Sequence, residues 1–337
     1  KRKALKQLIM KNFYIFILGW VIIIVACTNT QSNYPTIIKD PQIATSLDGD
    51  LVTPDSVISL LDWKLTDQYI IIYTPQSSGF LQLWSLPELE YHGRYLRRGR
   101  GPGELIAANW GQTVKHNAAI LYDIPAGKLH HYIVQSDSLE TEYVLDLVGR
   151  QPQDKSLFKP YVDVLQMNDS LYVMRASDRQ KDELSIVDLR HGDVVSYVEE
   201  VLQRDLSKDQ YLEYDYLLAT DGQYLIKAYI EYDRIEAFKL VGQKLIPQYV
   251  ITGPKSSVPS GYTAIVCAEN WFGCLFTNSE SGEGSILEIY GYDGSQQNRI
   301  SLSHPLTHLL YDEKNRIFYG YNAYSEKNNF YLFHYSM

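Results

Sequence analysis

Six short apolar runs recur along the chain at nearly constant intervals, and this repeat constrains the fold more than any other feature. They are residues 69–73, 118–122, 171–174, 224–227, 271–276 and 317–319, and their starts lie 49, 53, 53, 47 and 46 residues apart. Turn-forming pairs precede several of them: Asn168-Asp169, Asp221-Gly222, Glu269-Asn270 and Lys314-Asn315. These are the residues that tight hairpin turns favour. A second strand-like run follows each (80–86, 128–134, 184–189, 234–240, 286–292, 330–336), and a third follows in five cases (89–96, 141–148, 194–201, 245–252, 298–303). With a run ahead of the turn, such as 57–61, 162–166, 212–218, 263–268 and 306–311, each unit has four antiparallel strands. Four-stranded units repeating every 40–50 or so residues are the pattern of a propeller blade. The expected fold is all-β: a six-bladed β-propeller with four-stranded antiparallel blades.

The composition agrees with this. There are 28 Tyr against 10 Phe and 5 Trp, and aromatic residues suit a pleated, half-buried surface. Helical periodicity is poor; residues 198–218 hold either a short helix or an elongated loop. The last unit shows three strands, so the missing outer strand is expected from the N-terminal segment, with Tyr34-Pro35-Thr36-Ile37-Ile38-Lys39 as the candidate. Closure of the ring by this strand would remove an unpaired edge; the alternative is an arm lying on the surface.

Lys1, Arg2, Lys3, Lys6 and Lys11 start the chain with five positive charges and no negative one, and residues 13–25 form an apolar run broken only by Gly19. A basic start plus a short apolar run is the pattern of a signal peptide, and the run is short for a membrane span. Met10 is a candidate for the true initiator, since Lys11 and Asn12 would still give a basic start. The run ends in Ile24-Val25-Ala26-Cys27, which resembles a bacterial lipobox, with Ala26 before the cleavage point and Cys27 as the lipidated residue. An uncleaved anchor helix is the alternative. The expected division is a lipoprotein signal peptide at 1–26, a polar tether at 27–33 and the propeller at 34–337. The tether lacks the acidic run that resembles a surface-export signal in Bacteroidota, which favours a periplasm-facing position. Without the leader, 26 basic residues face 40 acidic ones, a net of −14 instead of −9, which argues against binding a nucleic-acid backbone.

Between the first two units lies Tyr95-Leu96-Arg97-Arg98-Gly99-Arg100-Gly101-Pro102-Gly103-Glu104. An R-x-G-x-G-P-G-E-like segment in this position resembles the TolB-like six-bladed β-propeller lipoproteins of Bacteroidota. The resemblance covers the lipobox, the blade count and this segment. It implies a six-bladed propeller and carries over no catalytic residue. Physically, Gly99, Gly101 and Gly103 allow a tight crossing between blades, and Pro102 fixes its own φ. Arg97, Arg98 and Arg100 stand near Glu104, as a structural corner with an Arg–Glu pair or as an anion-binding loop. The spacing does not match a nucleotide P-loop.

Catalytic signals are sparse. The eight histidines form neither H-E-x-x-H nor a Cys/His zinc pattern. His304 and His308 flank Pro305 where a loop could face a central channel, and His130-His131 point to opposite faces of a strand. No G-x-S-x-G elbow occurs. Asp48-Gly49-Asp50 reads as a turn, not as a calcium loop, and residues 280–285 as a polar hairpin tip. Cys267 and Cys274 fall on either side of a hairpin, as a disulfide or as two buried thiols depending on register. Tyr161, Tyr262 and Tyr324 are the tyrosines expected on loops.

These readings describe an exported, lipid-anchored protein of the cell envelope, periplasm-facing or outer-membrane associated, held to the membrane by Cys27. The expected role is non-enzymatic: a binding or scaffolding propeller for a protein, peptide or glycan, with no cofactor and no nucleic acid. The alternative is a lactonase-like propeller hydrolase with a metal in the channel, although fold alone does not imply function.

Overall fold

The computed structural model of the chain describes residues 34–40, 45–53, 59–135, 138–148, 160–177, 182–198, 215–253, 261–277, 284–325 and 329–335. Among these residues there is no helix, and strands account for every regular element. Three short strands come first: β1 (Thr36–Ile38), β2 (Thr45–Leu47) and β3 (Asp50–Val52). A four-stranded meander follows in β4 (Asp62–Leu65), β5 (Tyr69–Gln76), β6 (Gly79–Ser85) and β7 (Tyr91–Tyr95). Next come β8 (Ala108–Thr113), β9 (Ala118–Asp123), β10 (Lys128–Gln135) and β11 (Ser138–Asp146), then β12 (Tyr161–Gln166), β13 (Leu171–Ser177), β14 (Asp182–Asp188) and β15 (Asp193–Tyr197). These two meanders form one eight-stranded sheet, because their first strands touch in a short parallel pairing, Leu165 with Gln112 and Gln166 with Thr113. The remaining meanders are β16 (Tyr216–Thr220) to β19 (Lys244–Thr252), through β17 (Tyr224–Tyr229) and β18 (Arg234–Val241), and β20 (Tyr262–Cys267) to β23 (Gln296–Leu302), through β21 (Trp271–Thr277) and β22 (Ser285–Gly291). The last strands are β24 (His308–Asp312), β25 (Ile317–Tyr321) and β26 (Phe330–His334).

The N-terminal strands each add to a different C-terminal sheet. β1 lies parallel to β19, with Thr36 beside Val250; β2 lies parallel to β23, with Thr45 beside Ile300; β3 runs antiparallel to β26, with Val52 opposite Phe330. This corrects the segment expected beside the last strand. Residues 36–38 pair with β19, and 50–52 take the edge of β26. Three residues on each side of short polar breaks suffice to reach one sheet edge after another, so a single segment serves three edges.

Apolar side chains fill the gap between each sheet and its neighbour. In β5, Ile71 faces Trp110, Ala119 and Leu121 of the next meander, while Ile70 and Ile72 face Tyr319 and Phe330 near the C-terminus. Alternate residues of a strand point to opposite faces, and both faces are covered, which is why the run reads as unbroken Ile70-Ile71-Ile72. Further clusters lie between β8–β11 and β12–β15, between β12–β15 and β16–β19, between β16–β19 and β20–β23, and between β20–β23 and β24–β26.

Tyrosine suits these gaps because its ring fills them and its hydroxyl reaches the next sheet. Tyr73 donates to the carbonyl of Ala108 at 2.6 Å, Tyr249 to that of Tyr292 at 3.2 Å, and Tyr262 to the Asp233 carboxylate at 2.9 Å. Tyr161 and Tyr262 are therefore buried strand residues, 1% and 2% exposed, whereas Tyr324 is 89% exposed on the turn after β25.

Two expected elements are displaced. Of the strand expected at 57–61, residues 57–58 lie outside the described residues, and the first strand of that meander is β4 at Asp62–Leu65. Of the possible helix at 198–218, residues 199–214 lie outside the described residues, and Tyr216–Thr220 is the strand β16.

Candidate functional site

The first strands of the meanders surround a cavity of about 330 Å³. Its wall takes residues from β4, β8, β16, β20 and β24, including Trp63, Trp110, Val266 and Leu309. Polar groups are few: Asp62, Lys64, Gln112, Thr113, Thr220, Thr263 and His308. A concave hollow that combines apolar walls with placed polar groups is a common form of small-molecule site.

Lys64 reaches from β4 across to the loop after β8. Its Nζ donates to the carbonyl of Thr113 at 2.7 Å and to that of Lys115. Neither acceptor carries a negative charge, and burial pushes the lysine down to about 7. Asp62 stands two residues earlier on the same face of β4. One carboxylate oxygen accepts the Trp63 N–H at 2.8 Å. Burial, with the Asp163 carboxylate adding to it, pushes Asp62 up to about 7 against that hydrogen bond. Asp163 itself is held by Arg175, whose Nε lies 2.7 Å away. Among the described residues, neither Asp62 nor Lys64 has an oppositely charged partner within ion-pair distance.

His308 shares hydrogen bonds with the Thr307 hydroxyl at 2.8 Å and the Leu61 carbonyl at 3.1 Å, and burial lowers its basicity. Gln112 donates to the Leu218 carbonyl at 2.7 Å, tying β8 to β16 across the cavity. Of the two histidines flanking Pro305, only His308 lines the cavity; His304 stacks on Tyr331 at 4.1 Å. Among the described residues no group of three or more His, Cys, Asp or Glu side chains is gathered as a metal-ligand set.

The glycine-rich segment forms a loop away from this cavity. Arg98 and Leu105 make a parallel bridge, Gly99 N–H donates to the Leu105 carbonyl at 2.9 Å, and Leu105 N–H to that of Arg97 at 3.1 Å. The Glu104 carboxylate turns back into the loop and accepts the Gly101 N–H at 2.7 Å. A Cβ on Gly99 would lie 1.9 Å from that carboxylate, so a larger residue there would push the Glu104 side chain out of the loop. Arg98 donates to the Ile106 carbonyl at 3.0 Å, and among the described residues no arginine forms an ion pair with Glu104. Gly103 takes φ +77° beside Pro102.

Cys267 lies opposite Phe272, and Cys274 opposite Ile265. The two cysteines are thus diagonal neighbours on one face, roughly 7–8 Å apart for such pairs, beyond the reach of a disulfide. Both are free thiols, and burial pushes Cys267 up to about 12. Cys27 lies outside the described residues.

The cavity residues Asp62, Lys64, Trp110 and Gln112 were not among those singled out in the sequence. Asp-Trp-Lys-Leu ahead of the Thr66-Asp67 turn carries the period-two signal of a strand, but its two charges break the apolar run.

No family model matches the chain, and no curated protein matches it. Solved structures do. The chain is similar to a protein of Bacteroides fragilis NCTC 9343 described as exported, with a TM-score of 0.54 at 11% identity over 89% of this chain and 98% of that one. It is also similar to the β-propeller domain of Cps50 (Swd1) from Myceliophteria thermophila, with a TM-score of 0.52 at 8% identity over 86% of this chain and all of that one. At these identities the likeness concerns the fold: the meanders belong to a β-propeller, and the cavity lies where their first strands meet.

Proposed function

We propose that this protein is an envelope lipoprotein whose β-propeller binds its ligand in the central cavity and acts as a non-enzymatic binding or scaffolding module. The observation that carries this reading is the cavity itself, a hollow of mixed apolar and polar lining built from five strands that are far apart in sequence. The ligand is a peptide, a protein segment or a glycan.

The propeller has six blades in this reading. Support comes from the run of apolar clusters between consecutive meanders, the last of which joins β4–β6 to β25 and β26, and from the antiparallel pairing of β3 with β26. The N-terminal segment thereby closes the ring. In this reading the chain is a TolB-like lipoprotein of Bacteroidota, a reading that the glycine-rich loop supports. Residues 1–26 serve as the signal peptide, Cys27 carries the lipid, residues 27–33 form the tether, and the mature protein faces the periplasm. Stable anchoring takes more than one acyl chain.

Leu61 lines the cavity and is 59% exposed, so Leu61→Arg obstructs the site without disturbing the core. A peptide or glycan that raises the unfolding temperature of the protein, and loses that effect in Leu61→Arg, is the expected result. An equal effect in both proteins would place binding elsewhere, and turnover of the compound would favour the hydrolase reading. Incorporation of an alkyne fatty acid, lost in Cys27→Ser, tests the anchor.

A further inference from the structure

Two half-buried ionisable side chains share the cavity wall, and among the described residues neither has a counter-charge within ion-pair distance. Asp62 and Lys64 are alternate residues of β4 and face the same side, about 6.7 Å apart along the strand. Removing an unpaired carboxylate or ammonium from water is costly unless something compensates it. Here the protein compensates neither fully. Lys64 spends two of its three donors on the Thr113 and Lys115 carbonyls. Asp62 spends one lone pair on the Trp63 N–H.

We infer that the cavity takes a small zwitterion, a free amino acid or very short peptide, whose ammonium docks on Asp62 and whose carboxylate docks on Lys64. The short backbone between the two charges of an amino acid, with charge-assisted hydrogen bonds of roughly 2.8 Å at each end, suits two side chains that leave one strand face about 6.7 Å apart. The cavity volume of about 330 Å³ is at the lower end of the roughly 300–1,000 Å³ typical of ligand sites, which suits a small ligand. The surrounding Trp110, Val266 and Leu309 favour an apolar side chain. This inference rests on the reading of the cavity as the binding site.

The other titratable groups nearby do not supply the missing charges. Asp163 is engaged by Arg175, and His308 is bonded to Thr307 and Leu61. The Tyr73 hydroxyl donates to Ala108. Cys267, also in the wall, is held as a thiol. Asp62 titrates near 7 because of burial, so a docking ammonium must displace its proton at lower pH. Affinity is therefore greatest near pH 7: it falls below as Asp62 takes a proton and above as Lys64 loses one, and Asp62→Asn removes the acid limb alone.

The test is calorimetric titration of the full chain with leucine, N-acetyl-leucine and leucinamide. Leucine is expected to bind, and each capped analogue to bind about tenfold to a hundredfold more weakly, the loss of one charge-assisted contact. Asp62→Asn should bind leucine and N-acetyl-leucine alike. Lys64→Met leaves two carbonyls without a donor and could unfold; leucinamide on the unchanged protein then tests the same contact. Equal binding of leucine and both capped analogues overturns the inference. So does failure of all three when a larger peptide or glycan still binds in the Leu61→Arg comparison, an outcome that leaves the cavity's binding role intact. If no ligand of any class distinguishes Leu61→Arg, the binding role fails as well.

Discussion

The sheets differ at their outer edges. Those containing β19, β23 and β26 are covered by successive pieces of the N-terminal segment, whereas β7, β11 and β15 have no further strand beyond them among the described residues. An uncovered edge is a template for unwanted pairing. On β11 the edge is instead blunted by charge, with Glu140, Glu142 and Asp146 exposed. The same contrast appears in how two buried bases are treated. In the covered half, Lys39 is inserted beside β1 with its Nζ 2.5 Å from Asp233 and 2.9 Å from Glu288, and it also lies near the Tyr262 hydroxyl. In the uncovered half, His131 is fully buried, stacked on Tyr143 at 4.0 Å and bonded to the Tyr172 hydroxyl at 3.1 Å. Its other ring nitrogen has no partner among the described residues. One base is buried as a charge that fastens the strap; the other is buried neutral.

The largest expected effect comes from unfastening the strap. Lys39→Met leaves Glu288, which is 0% exposed, with Arg299 at 3.2 Å and the Tyr262 and Tyr290 hydroxyls at 3.1 Å, and should lower the unfolding free energy by about 3 kcal/mol, the lower end for a broken buried pair. Chemical denaturation measures it, and a loss under about 1 kcal/mol would mean that this contact does not hold the N-terminal segment.

Next is the acid sensitivity of the uncovered half. Burial, helped by Lys115 and His130, lowers His131 from 6.5 to about 3. Its unfolded form therefore binds more protons between these values. The stability it contributes is complete above pH 6.5 and is lost as the pH falls towards 3. By about pH 4.5 the loss amounts to roughly 2–3 kcal/mol. Unfolding midpoints measured across pH should fall less steeply in His131→Phe, and an unchanged slope would contradict the assignment.

Smallest is a paired glycine test. At Gly49, between β2 and β3, an added Cβ would lie 2.6 Å from the buried Phe333 ring, so Gly49→Ala should cost about 1–3 kcal/mol. At Gly103, in the loop after β7, nothing lies within 4 Å and only φ +77° opposes a side chain, so Gly103→Ala should cost about 1 kcal/mol. Thermal unfolding of the two variants ranks them, and the reverse order would show that the strap yields more easily than the loop.

Where both faces of a strand are buried, the sequence was easy to read: Ile70-Ile71-Ile72 and Ala118-Ala119-Ile120-Leu121-Tyr122 are strands as the repeat implied. Hairpin chemistry was also legible, as when the Asn168 side chain accepts the Ser170 and Leu171 N–H groups ahead of β13. The candidate site was not. Its charged members Asp62 and Lys64 interrupt an apolar pattern, and their chemistry arises from burial that no local window reveals. Gln112 matters only because Leu218, more than a hundred residues later, lies across the cavity.

The chain's local chemistry, taken alone, determined an all-β fold of repeated meanders, the turns between strands and the tight glycine loop before β8. Each depends on residues close together in sequence, through alternation, turn preference and φ. Tertiary structure decided which N-terminal piece covers which edge, how Cys267 and Cys274 are offset, and which side chains meet in the cavity. Those outcomes depend on register and on contacts between strands far apart in the chain. A one-residue slip reverses every face, and only the packed sheets select one register.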